Sequence, residues 1–135
     1  MPTTPRRWVL AGHSRGAVVA SRVAAERPPG AVGLIIIGSS HPRDVDLHTL
    51  PGVVTKIVAT RDGLASPREV DANRAKLPSQ TRWVWIDGGN HSQFGWYGFQ
   101  PGDHRATRDA ASQRATMIAA VLETLGQAAV IAPAS

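Results

Sequence analysis

Cysteine is absent from this sequence of 135 residues, which excludes a disulfide framework, a cysteine-ligated metal site and a thiol nucleophile. Long apolar runs are also missing: none approaches the roughly 20 residues that a membrane-spanning helix requires. The first residues lack the apolar core of a secretory signal. We therefore expect a cytoplasmic protein without a membrane partner, and the length is that of a single domain over residues 1–135.

Basic residues outnumber acidic ones, and the formal net charge of +5 raises the question of a nucleic-acid partner. The arginines, however, are spread over every segment, with acidic residues between them and no cluster of basic and aromatic side chains. The five histidines are scattered as well, at spacings that match no metal site. We therefore expect no nucleic-acid partner and no bound metal or other cofactor.

The pentapeptide Gly12–Gly16 has the pattern Gly-x-Ser-x-Gly and joins an apolar run to an alanine-rich segment. This pattern is typical of a sharp turn from a strand into a helix, in which Ser14 adopts strained backbone angles and the glycines avoid collisions. Such a turn would present the Ser14 hydroxyl as a nucleophile. The alternative interpretation is an ordinary turn whose serine only caps the helix.

Apolar runs without polar alternation predict strands that are buried on both faces of a parallel sheet, over residues 7–11, 32–38, 53–60 and 81–86. Helical patterns follow over 16–27, 66–77 and 110–125, and Gly126 should end the last helix. In that helix we expect these side chains to face the core: Met117, Ile118, Val121, Leu122 and Leu125. The predicted fold class is α/β, with a parallel sheet of about four strands flanked by helices.

Polar residues follow three of these strands: Ser14 the first, Asp62 the third and His91 the fourth. Because the carboxyl ends of parallel strands open into one crevice, these side chains can meet there. The chain order serine, aspartate, histidine accompanies the Gly-x-Ser-x-Gly turn in one fold. Other interpretations stay open, since Asp62 can start a turn with Gly63, His91 can be a solvent-facing loop residue, and Asp87 is a second candidate acid.

Three segments together resemble the alpha/beta-hydrolase superfamily, and most closely its small dienelactone-hydrolase-like and carboxylesterase-like members: Gly12–Gly16, Ala59–Leu64 and Gly88–Gly95. The resemblance extends over almost the whole chain. It implies a serine hydrolase that acts on a small carboxylic ester or lactone without a cofactor.

The resemblance also implies a role for each residue of the site. Ser14 would be the nucleophile, His91 the base that takes its proton, and Asp62 the carboxylate that orients the imidazole. The backbone N–H of Arg15, which follows the nucleophile, would be one donor of the oxyanion hole. Apart from the resemblance, three aromatic residues in the loop after His91 are candidates for a wall of the substrate pocket: Trp96, Tyr97 and Phe99. The alternative is a loop that packs against its own aromatic rings.

The resemblance covers only the second half of the hydrolase fold, in which about four further strands would precede the first strand found here. The chain would then be an N-terminally truncated domain, without the loop that supplies the second oxyanion donor. Loss of one such donor lowers turnover by about 10²–10³. We therefore expect weak catalysis.

Two alternatives to an esterase remain. The first is a non-catalytic hydrolase remnant that acts as an assembly module, because its first strand would have an open, apolar edge on which a homo-oligomer could form. The second is a binder of carboxylic acids or nucleotides on a flavodoxin-like sheet, which no glycine-rich phosphate loop in the sequence supports.

Overall fold

Four parallel strands form one sheet, and their order in space is their order in the chain. The computed structural model describes residues 6–131. The strands are β1 (Trp8–His13), β2 (Ala31–Ile37), β3 (Val53–Ala59) and β4 (Arg82–Ile86). The predicted α/β class and the four-stranded parallel sheet are confirmed.

Three helices pack on the sheet: α1 (Arg15–Ala25) between β1 and β2, α2 (Pro67–Ala72) between β3 and β4, and α3 (Ala110–Ala128) after β4. Short 3₁₀ turns lie at Arg74–Lys76 and Ser92–Phe94, and a loop without a helix connects β2 to β3. The start of α2 is as expected, because the Ser66 hydroxyl accepts a hydrogen bond from the Glu69 N–H at 3.2 Å. Its predicted length is wrong. The α-helix ends at Ala72, and a 3₁₀ turn completes the segment.

Two-sided burial, which the sequence predicted for all four strands, is confirmed for the central strands only: no residue of β1 is buried, and in β4 only Ile86 is. β2 and β3 are buried on both faces, as the alternating side chains of β2 illustrate. Leu34 and Ile36 pack against Ala17 of α1 in one hydrophobic cluster. Ile35, on the opposite face, packs in a second cluster that contains Ala120 of α3. This two-sided burial explains why the strand has no polar alternation in its sequence.

The buried face of α3 matches the predicted one in part. Met117 and Val121 are partly buried and pack against the core, as expected. Ile118, Leu122 and Leu125 are exposed, with 52%, 61% and 45% of their surface accessible. The fully buried residues of the helix are small or polar: Gln113, Ala120, Thr124 and Ala128. Small side chains let the helix approach the strands closely, and the Thr124 hydroxyl lies 2.7 Å from that of Thr55 in β3. Gly126 does not end the helix, which continues to Ala128.

Both outer strands of the sheet have one side without a neighbouring strand in the described part of the chain. These strands are β1 and β4. In β1 the indole of Trp8 is 47% exposed. Among residues 6–131, no helix is both long and apolar enough to cross a lipid bilayer.

A lysine is buried in the centre of the sheet. Lys56 of β3 is 1% exposed, and its Nζ donates a hydrogen bond to the carbonyl oxygen of His41. No carboxylate within residues 6–131 forms an ion pair with it. Burial lowers the pKa of Lys56 from 10.5 to about 7, because the charged ammonium loses its hydration there.

We expect Lys56→Met to stabilise the fold in a pH-dependent way. Between pH 7 and 10.5 the unfolded chain binds a proton at Lys56 that the folded chain does not, so wild-type stability rises with pH across this window. The stability gain of the variant should therefore be largest at or below pH 7 and shrink toward pH 10.5. Thermal unfolding of the wild type and the variant at about pH 6 and about pH 9.5 measures this stability gain.

Lys76→Met is the matched control, because Lys76 is partly exposed and donates to the Arg43 carbonyl at the surface. The pH dependence that Lys56→Met shows beyond that of Lys76→Met measures the effect of burial at position 56. Equal gains for Lys56→Met at both pH values would contradict the argument.

Candidate active site

The turn between β1 and α1 holds Ser14 in a backbone conformation that side chains rarely adopt. Its φ is 57° and its ψ is −117°. Such a conformation costs about 1–3 kcal/mol and persists only where the surrounding structure imposes it. The Ser14 N–H donates to the Ile37 carbonyl at 3.0 Å, which ties the turn to β2. Within the described chain the Ser14 side chain makes no capping hydrogen bond to α1, so the simple helix-cap interpretation is wrong.

The two glycines of the turn are not equivalent. A Cβ atom at Gly12 would lie 2.2 Å from both the carbonyl carbon and the oxygen of Gly16, so a side chain there collides with the backbone of α1. A Cβ at Gly16 would meet nothing within 4 Å. The close approach that the pattern predicts therefore exists at Gly12 and does not require a glycine at position 16.

The imidazole of His91 lies between Ser14 and Asp62. Its Nδ1 is 2.9 Å from Oδ2 of Asp62, and its Nε2 is 3.1 Å from Oγ of Ser14. A carboxylate can only accept, so the proton of a neutral imidazole belongs on Nδ1, and Nε2 is left to accept from the serine hydroxyl. His91 is 2% exposed and Asp62 is 1% exposed. The three residues that the sequence singled out thus form one hydrogen-bonded chain.

Asp62 divides its hydrogen bonds between its two oxygens. Oδ1 accepts from the N–H groups of Leu64 and Ala65 at 2.8 and 2.7 Å, which closes a turn after β3. Oδ2 is left for His91. The turn-forming role and the contact with histidine, which the sequence presented as alternatives, are therefore compatible because each uses a different oxygen.

His13 supports the imidazole of His91 from one side. The centroids of the two rings are 5.0 Å apart, and the rings of Phe94 and Tyr97 also pack on His13. The pKa of His13 is lowered to about 4, mainly by burial and to a smaller extent by the nearby His91. This ring is therefore neutral at physiological pH. A Cβ at Gly38 would come within 3.1 Å of both the His13 and Phe94 rings, so the glycine after β2 leaves room for this packing.

The site thus combines a strained serine after β1 with a histidine and a buried aspartate in one hydrogen-bonded chain. The profile of the alpha/beta hydrolase family matches residues 1–115. This chain belongs to the alpha/beta hydrolase family. A comparison with curated proteins gives no match.

Solved structures of other hydrolases share the fold of this alpha/beta hydrolase. An alpha-beta serine hydrolase homologue from Coxiella burnetii is 21% identical, with a TM-score of 0.53 over 62% of this chain and 40% of its own. A CIB-like hydrolase from Thermoplasma acidophilum is 14% identical, with a TM-score of 0.63 over 90% and 52%. The esterase domain of a Rhodothermus marinus protein is 11% identical, with a TM-score of 0.58 over 87% and 60%. The chain thus spans between 40% and 60% of the length of these three structures.

The remaining residues that the sequence singled out in this hydrolase differ in their surroundings. The N–H of Arg15 makes no hydrogen bond within residues 6–131 and lies at the positive end of α1. Tyr97 reaches the site through His13, whose Nδ1 is 3.4 Å from the phenol oxygen. Trp96 is 85% exposed, with the guanidinium of Arg114 3.5 Å from its ring centroid. Asp87 is exposed and accepts from the Thr60 hydroxyl at 3.2 Å.

A buried side chain that no sequence pattern indicated holds the backbone next to His91. Gln113 of α3 is fully buried; its oxygen accepts from the Asn90 N–H at 3.1 Å, and its Nε2 donates to the Asn90 carbonyl at 2.7 Å. Asn90 directly precedes His91. A glutamine on a helix carries no local pattern that could indicate this contact, which joins positions 23 residues apart.

One cavity of this hydrolase lies apart from the hydrogen-bonded chain. This cavity of about 440 Å³ is lined by Phe99, Arg105 and Arg114 among others, and by neither Ser14 nor His91. No group of three or more histidine, aspartate or glutamate side chains with the geometry of a metal site occurs among residues 6–131.

We expect opposite effects from alanine at the two glycines of the turn. Gly12→Ala forces a Cβ against the backbone of α1 and should lower the free energy of unfolding by about 3 kcal/mol. Gly16→Ala has open space and a helical position, so it should be neutral or stabilising by about 0.5–1 kcal/mol. Denaturant unfolding of both variants measures the difference. Similar losses in the two variants would contradict this account of the turn.

Proposed function

We propose that this alpha/beta hydrolase is a serine esterase that cleaves small carboxylic esters or lactones. The observation that supports the proposal best is the continuous hydrogen-bonded chain from Ser14 Oγ through His91 to Asp62. A serine hydroxyl becomes a nucleophile when a base takes its proton, and an imidazole that a carboxylate orients is suited to this near neutral pH.

In the proposed reaction Ser14 Oγ attacks the ester carbonyl carbon while its proton passes to Nε2 of His91. The carbonyl oxygen becomes an oxyanion, toward which the Arg15 N–H and the positive end of α1 donate. Collapse of this intermediate breaks the ester C–O bond, and the leaving alcohol takes the proton from His91. Water then attacks the acyl-serine with His91 again as base, which releases the acid and restores the Ser14 hydroxyl.

The Arg15 N–H is the oxyanion donor that the family resemblance identifies among the residues of this chain, and one such donor typically contributes about 10²–10³ in turnover. The aromatic side chains of Trp96 and Tyr97, both exposed beside the His91 loop, are the proposed wall for the acyl or alcohol group.

A fluorophosphonate probe and p-nitrophenyl acetate test the proposal. Ser14→Ala and His91→Ala should abolish labelling and lower hydrolysis by at least about 10³-fold, because nucleophile and base act as one unit. Asp62→Asn should lower it by about 10²–10⁴-fold through the wrong imidazole tautomer. Ser79→Ala and His48→Ala change an exposed serine and an exposed histidine, and should leave both readouts unchanged. A wild-type chain that is neither labelled nor active would refute the esterase.

The second candidate function is assembly with another copy of this chain through β1. What favours it is the position of β1 at the edge of the sheet, with an exposed Trp8, since an unpaired apolar edge is a template for strand addition. We expect a dimer in sedimentation velocity, and Val9→Pro should shift it to monomer because proline removes a backbone donor from the edge. A wild-type chain that stays monomeric at high concentration would rule this candidate out.

A further inference from the structure

A carboxylate in the loop between β4 and α3 collects an unusual number of hydrogen bonds. Oδ1 of Asp103 accepts from the N–H groups of Gly63, His91 and His104 at 3.0, 3.3 and 2.8 Å. Oδ2 accepts from the N–H and the hydroxyl of Ser92 at 2.8 and 2.7 Å. Five donors therefore converge on one side chain that the sequence analysis did not single out.

Four of the five donors belong to the two segments that carry the acid and the base of the proposed reaction, and the fifth is the N–H of the neighbouring His104. Gly63 directly follows Asp62, whereas His91 and Ser92 lie in the turn after β4. Asp62 and His91 are 29 residues apart in the chain. The Asp103 carboxylate thus joins the backbones of the two segments, in addition to the side-chain bond between Asp62 and His91.

The backbone around Asp103 is packed for this contact. A Cβ at Gly63 would lie 2.6 Å from the carbonyl oxygen of Gly102, 2.9 Å from the His104 nitrogen and 3.0 Å from the carbonyl carbon of Asp103. Any side chain at position 63 would therefore push the Asp103 segment away. The glycine is required by this approach and not by a positive φ.

Asp103 carries its charge at neutral pH. Burial by itself would raise the pKa of the carboxyl, but hydrogen bonds from Gly63, Ser92 and His104 outweigh it and hold the pKa below its usual range. An ionised acceptor binds N–H groups about twice as strongly as a neutral one. Its contacts with His91 and Gly63 are to their backbones, so it acts on the site through their positions.

We propose that Asp103 is a positioning residue that holds His91 in register with Asp62 and Ser14. The expected effect on the reaction rate rests on the proposed function. The expected effect on the His91 side chain rests on geometry alone. A small displacement of a catalytic group can cost about 10²-fold in rate. Asp103 therefore contributes to the rate without touching the substrate.

Two measurements on the variants Asp103→Ala and Asp103→Asn test this proposal. The first is the downfield imidazole proton resonance of the Nδ1–H of His91 in its bond to Asp62, which we expect to weaken or disappear in Asp103→Ala. The second is the rate of fluorophosphonate labelling, which should fall by about 10–100-fold with little change in KM for p-nitrophenyl acetate. Asp103→Asn should be intermediate, because its amide oxygen still accepts from Gly63 while its NH₂ faces the Ser92 N–H.

Asp109→Ala is the matched control. Asp109 is a nearby loop carboxylate that caps α3 by accepting from the Ser112 N–H at 2.8 Å, so its loss costs about 1 kcal/mol of stability. This variant should keep the resonance and the labelling rate. If Asp103→Ala does the same and only its unfolding temperature falls, the proposal is wrong.

The failure of the proposed function has a different signature. A wild-type chain that has the downfield resonance but no reactivity at Ser14 would refute the esterase, and the resonance would still decide the role of Asp103. If Asp103→Ala does not fold, the milder Asp103→Asn carries the same test, and an unchanged resonance there would overturn the proposal.

Discussion

Parallel pairing in chain order is the constraint on which the rest of this structure depends. Because all four strands point the same way, the segments after β1, β3 and β4 open at one edge of the sheet. Neighbouring strands are about 4.8 Å apart, so β2 separates the serine and aspartate segments by roughly two strand spacings. The imidazole of His91, from the segment after β4, bridges this gap.

The bridge requires the segment after β4 to fold back over the ends of β3 and β2, and the surrounding contacts permit it. Gly38 leaves space at the end of β2 for the rings of His13 and Phe94. Gln113 holds the backbone on one side of His91, and Asp103 holds it on the other. Since His91 and Asp62 are almost fully buried, their hydrogen bond forms in a low-dielectric environment where it is stronger than in water.

The central strands β2 and β3 could be predicted because two-sided burial leaves an uninterrupted apolar run, and the start of α2 could be predicted because its capping residues are local. The exact buried face of α3 could not. Met117 and Val121 pack on the core as their apolar character suggested, but close packing on the sheet selected Ala120 and Thr124 rather than Ile118, Leu122 and Leu125. Helix periodicity identifies an apolar stripe, but the space left beside the strands decides which stripe is buried.

By itself the sequence determined that Ser14 lies on a tight strand-to-helix turn and that Asp62 and His91 follow strands of the same parallel sheet, since these features depend on local patterns and strand direction. Only the tertiary structure decided that Gly12 and not Gly16 meets a neighbouring backbone, and that Asp103 collects the amides beside both Asp62 and His91. These contacts join residues that are far apart in the chain, and their geometry is set by packing.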